Sequence, residues 1–133
     1  MDCQDILVDR SLDFVKIRFK IAQMFSIEPS EVLVAKEIPE FAISESIRIL
    51  CQMQELEGDF KQMMSIYFRD SSLSNFLNHE SLGVFCEFFQ CVCLNSDDDV
   101  NPYSMILIKG VEDYQEVYLS PEFLDEEKYV LAD

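Results

Sequence analysis

Residues able to do chemistry are few in this chain, and their spacing matches no known catalytic pattern. The single histidine, His79, lies beside Glu80, and no Ser or Cys nucleophile signature surrounds it. A histidine relay needs such a partner, so His79 reads as a surface or half-buried helical residue. The five cysteines (Cys3, Cys51, Cys86, Cys91, Cys93) are an odd number without disulfide-like spacing. Zinc sites show a C-x2–4-C pair matched by a second pair, and Cys86, Cys91 and Cys93 do not supply one. All five read as small apolar fillers of a reducing compartment, and neither metal nor cofactor is expected. Asp97-Asp98-Asp99 could chelate a hard cation, but the following Val100-Asn101-Pro102 lacks the alternating oxygens, central Gly and final Glu of a calcium loop. Only three glycines exist, and they form neither a P-loop nor a dinucleotide fingerprint. Carboxylate pairs abound, whereas a glycosidase needs two across a cleft of set width. The reading is of a protein that is not an enzyme.

The elements that would carry these residues suggest one α+β domain over 1–133: an antiparallel sheet with helices packed on one face, in the order α-β-β-β-α-β-β. Segment 11–25 is ambiguous. Leu12, Val15, Phe19 and Ala22 form a helical stripe, while Val15 to Ile21 alternates as a strand would. Its length and a Ser11 cap favour a helix. Glu31 to Ile38 reads as a strand. Ile47, Ile49, Cys51 and Met53, then Phe60, Met64, Ile66 and Phe68 beyond Glu57-Gly58-Asp59, read as a hairpin. Ser71 to Leu94 is the strongest helix, capped by Ser71 or Ser74, with Phe85, Phe88, Phe89 and Val92 on one face. Gly83 costs that helix about 1 kcal/mol relative to Ala, which packing must offset. Tyr103–Lys109 and Glu116–Ser120 form a second hairpin around Gly110 to Asp113, followed by an irregular or short helical tail. Pro29, Pro39, Pro102 and Pro121 fall where patterns break. The acidic N-terminus and apolar runs of at most four residues offer neither a secretory signal nor a membrane span, so a cytoplasmic location is expected.

Charge is the strongest clue to a partner. The 133 residues hold 26 acids against 10 bases, a net −16. That excludes binding nucleic acid through its phosphates, which needs Lys and Arg, and binding an anionic membrane by charge. Disorder is excluded by 49% apolar content with 11 Phe and 5 Tyr. Residues 1–27 net to zero, whereas 94–133 carry eleven acids and two bases. The acids cluster at Asp97-Asp98-Asp99, at Glu112, Asp113 and Glu116, and at Glu122, Asp125, Glu126 and Glu127. Such an excess exceeds what solubility requires and suits rapid association with a basic protein. Tyr103, Tyr114 and Tyr118 are interleaved with these acids, and tyrosine is a favoured interface anchor.

The run from Asp97 to Ile108, then Val117-Tyr118-Leu119 and Leu124-Asp125-Glu126-Glu127, resembles the C-terminal hairpin and tail of contact-dependent growth inhibition immunity proteins. The resemblance implies a partner: one cognate basic toxin domain, commonly a nuclease acting on tRNA or DNA. Acids would pair with the Lys and Arg that otherwise hold phosphate. The partner-binding residues expected are Asp97, Asp98, Asp99, Tyr103, Glu112, Asp113, Tyr114, Glu116, Tyr118, Asp125, Glu126 and Glu127. Type III secretion chaperones are similarly small and acidic, with an α-β-β-β-α-β-β-α order, and form the alternative. A DNA-mimic inhibitor is the third reading, although it would want acids in a regular stripe rather than at turns.

Overall fold

The computed structural model describes residues 2–38, 43–73, 77–96, 101–124, 126 and 128–132. It is an α+β fold built on one mixed, mostly antiparallel sheet of seven strands. In chain order these are β1 (Asp2–Val8), β2 (Val32–Ala35), β3 (Ile49–Glu55), β4 (Gln62–Phe68), β5 (Cys93–Ser96), β6 (Ser104–Gly110) and β7 (Asp113–Tyr118). Across the sheet they run β2-β3-β4-β1-β5-β6-β7, and only β2–β3 is parallel. Helices α1 (Phe14–Phe25) and α2 (His79–Phe89) cover one face; a short α3 (Pro121–Leu124) begins the tail.

The order differs from the sequence reading at the first element. β1 is a strand between β4 and β5, pairing with β4 from Asp2↔Phe68 to Val8↔Gln62. Alternation could not reveal it, because Ile6-Leu7-Val8 is buried on both faces and reads as a plain apolar run, while Cys3 and Asp5 before it are exposed. Ile6 and Val8 pack beneath the helices, and Leu7 packs on the far side. Strands β1 and β5 are thus additions to the expected order, and the remaining elements keep the sequence α-β-β-β-α-β-β before the short α3.

The ambiguous segment is α1. Its buried face is Ile17, Ile21 and Ala22, whereas Val15 and Phe19, expected on the helical stripe, are exposed. Asp13 caps it, accepting from the backbone N–H groups of Val15 (2.8 Å) and Lys16 (3.3 Å). Ser11 instead bonds Glu55. Buried Gln62 accepts from the Leu12 N–H at 3.1 Å and fixes the approach to the helix.

The hairpins stand where they were read. β3 pairs with β4 from Glu55↔Gln62 to Ile49↔Phe68, and β6 pairs with β7 from Gly110↔Asp113 to Ser104↔Tyr118. The second turn is tighter than expected, with only Val111 and Glu112 between strands.

Helix α2 is much shorter than 71–94. Asn78, not Ser71 or Ser74, caps it through the Ser81 N–H; residues 74–76 lie outside the described residues. At the other end Gln90 turns left-handed (φ 53°), and Cys93-Leu94 belongs to β5. Cys91-Val92-Cys93-Leu94 is an apolar run, which helix and doubly buried strand share. The buried face is Leu82, Gly83, Phe85 and Cys86, while Phe88 stands exposed under the Lys20 ammonium.

The main core lies between the helices and the sheet. A second cluster on the opposite face joins Leu7, Phe60, Leu94, Leu107 and Leu119. Tail residues Leu124, Tyr129 and Leu131 cover it, anchored by bridges Gly58↔Tyr129 and Leu119↔Leu131.

Candidate functional site

A groove of about 1190 Å³ opens where β1 and β5 part. These strands pair only at Leu7↔Leu94 and Val8↔Cys93. Beyond that point they are joined by Gln4, whose amide donates to the Asn95 side-chain oxygen at 3.3 Å. Gln4 also exchanges two 2.9 Å bonds with the backbone of Leu77. One side chain thus ties the central strand to the approach of α2 and forms part of the groove wall.

The acids of this groove come from four elements. Asp5 lies on β1, Glu80 in the first turn of α2, Glu112 in the β6–β7 turn and Glu116 on β7. All four are exposed, and no Lys or Arg lines the groove among the described residues. His79 stacks on Tyr114, ring centroids 4.7 Å apart, joining α2 to the edge strand.

Strand β7 is the last strand of the sheet, and the tail meets its outer side at the C-terminal end, where the Ala132 N–H donates to the Tyr118 carbonyl at 2.8 Å. Alternation puts Tyr114, Glu116 and Tyr118 on the helix-bearing face, opposite Ile108, Ile106 and Ser104. Tyr114 and Tyr118 are exposed, and the Tyr118 hydroxyl donates to Glu116 at 2.6 Å. The turn is pinned to α2: Glu87 accepts from the Val111 N–H at 2.7 Å. Glu112 is left-handed (φ 64°), a conformation that favours Gly or Asn.

The structure thus brings together Glu112, Tyr114 and Glu116, with Tyr118 further along the same face. It separates others. Asp113 alternates to the opposite face of β7. Tyr103 precedes β6, at the end of the hairpin away from the turn. Glu126 lies in the tail, paired with Lys128 at 3.2 Å. Asp97, Asp98, Asp99, Asp125 and Glu127 lie outside the described residues. Asp5 and Glu80 were missed. Asp5 sits on a strand that alternation hid, and Glu80 reaches the groove only because α2 starts at His79.

No protein-family model matches the chain, and neither a curated protein nor a solved structure matches it. The site must be read from its own geometry. Among the described residues no helix is long and apolar enough to cross a membrane.

A second cluster lies in the core. The sulfurs of Cys86, Cys91 and Cys93 are all within 4.8 Å of one another, and all three residues are buried. The Cys86 thiol donates to the Ile108 carbonyl at 3.3 Å. Bonds from Cys91 and then Cys93 pull the Cys86 thiol down, against its burial and this S–H···O contact, and the same sharing raises the other two thiols. Cys51 stands apart, pushed up to about 12 by burial. Sequence spacing set the trio aside, because Cys86 arrives from a helix, Cys91 from the turn after it and Cys93 from the following strand.

Proposed function

We propose that the chain is an immunity protein that binds a basic bacterial toxin nuclease domain, an RNase, tRNase or DNase, and neutralises it through the acidic groove. The observation that carries this reading is the set Glu80, Glu112 and Glu116 around a groove lined by no Lys or Arg among the described residues, with Asp5 reaching it from the Leu7 face of β1. Such a surface attracts Lys and Arg and repels phosphate. Exposed Tyr114 and Tyr118 beside it offer large, stiff contact area at low entropic cost. Inhibition then follows from occupancy: the toxin's phosphate-binding cations are engaged by carboxylates, and substrate is excluded.

Growth rescue tests the proposal. Cells producing the nuclease domain encoded by the neighbouring reading frame should survive when they also make this chain. The purified chain should stop that domain cleaving nucleic acid. Continued killing, with cleavage unchanged at excess chain, would count against the immunity role.

A further inference from the structure

We propose that Cys86, Cys91 and Cys93 form a binding site for one soft, thiophilic metal ion, held by three thiolates between the end of α2 and the start of β5. The three sulfurs already lie within 4.8 Å of one another. At a metal–sulfur distance of about 2.3 Å, three-coordinate geometry separates the sulfurs by about 4.0 Å. Closing the cluster thus requires shifts below about 1 Å.

The backbone presets this arrangement. The left-handed Gln90 turns the chain so that the Cys91 N–H donates to the Cys86 carbonyl at 3.0 Å. The extended segment then sends Cys91 and Cys93 to the same side. Val92, between them, is clamped by Asp9. The Asp9 N–H donates to the Val92 carbonyl at 3.0 Å, and the Asp9 carboxylate accepts from the Val92 N–H at 2.9 Å. A preset site avoids much of the ordering cost of ligation.

The donor set selects the ion. Three sulfurs without a carboxylate or imidazole in the cluster favour soft ions such as Cu(I) or Cd(II) over calcium, magnesium or manganese. Structural zinc takes four ligands, and this cluster supplies three. Ligation exchanges each bound S–H proton for a metal–sulfur bond, so it releases protons without oxidation or reduction. None of the three residues lines the acidic groove, so the site is distinct from it. Its effect is to tie α2 to β5.

The test is titration of the reduced full chain with Cd(II), followed by ultraviolet sulfur-to-metal charge-transfer absorption. Carboxylate-bound Cd(II) is silent there, so the acidic surface does not contribute. The expected result is saturation at one equivalent, with a rise in Tm. Cys91→Ser, at the loop end of the cluster, should lower Cd(II) affinity at least tenfold, as should Cys93→Ser. Cys3→Ser and Cys51→Ser should leave the titration unchanged. Circular dichroism of each variant separates lost binding from lost folding, and Cys91→Ser carries the test if Cys93→Ser does not fold. Absence of the band at one equivalent would overturn the site, as would a band that survives Cys91→Ser or disappears in Cys3→Ser.

Discussion

A Cβ added at Gly83 would lie 2.6 Å from the carbonyl oxygen of Gly110. Helix α2 therefore touches the end of β6 backbone to backbone, with Val111 N only 2.7 Å from the same point. Gly83 looked like a helix defect in the sequence, but it is what allows α2 to reach the β6–β7 turn. That contact, with the Glu87–Val111 bond, sets the spacing between Glu80 and Glu112 across the groove.

Gly83→Ala should consequently destabilise the protein, although alanine is the better helix former. The clash is with backbone, which cannot rotate away. Overpacking of this kind costs about 1–3 kcal/mol, against a helix gain of about 1 kcal/mol. A net loss of up to about 2 kcal/mol is expected in urea denaturation. Equal or greater stability would show that α2 does not make this close approach.

Glu112→Gly should have the opposite effect on stability. A left-handed residue other than glycine costs about 1–2 kcal/mol, and glycine returns about 0.5–1 kcal/mol of that as lost chain entropy. A gain of about 0.5–1 kcal/mol is expected in the same assay, together with slower association with the toxin domain. Stabilisation alone would mean that the strained turn does not serve binding through Glu112.

The Arg48 cluster should shape the acid limb of the stability curve. The carboxyl of Asp70 is held below its ordinary value by bonds from Ser72 (side chain 2.7 Å, backbone 2.9 Å) and by Arg48 at 2.8 Å. A depressed carboxyl contributes stability above its unfolded pKa of about 3.9 and loses it as pH falls through the native value. Asp70→Asn should therefore be less stable than the native chain at neutral pH, with the gap closing as pH falls below the carboxylate range. A gap independent of pH, measured by denaturant midpoint, would remove the charge from this explanation.

The legible parts of the fold were the hairpins, because one-sided burial leaves a period of two. Ile49, Cys51 and Met53 face the helices, as do Met64, Ile66 and Phe68. The illegible parts were doubly buried strands. Ile6-Leu7-Val8 and Cys93-Leu94 have no polar face to mark their period. Site residues followed the same division. Glu112, Tyr114 and Glu116 were found because they sit on a legible hairpin. Asp5 was hidden with β1, and Glu80 was placed in the middle of a helix whose start was set too early. The thiol cluster could not be read from spacing, since a left-handed turn at Gln90 brings its members together.

The central claim is that the acidic groove recruits a basic nuclease domain, and association kinetics test it most directly. The rate of binding to a basic nuclease domain that the chain neutralises should be measured from low to high salt, for the native chain and for Glu112→Lys/Glu116→Lys. The account predicts that the native rate falls steeply with salt, and that the double reversal slows association at least tenfold at low salt and flattens that dependence. A double reversal that binds as fast as the native chain at every salt concentration would contradict it.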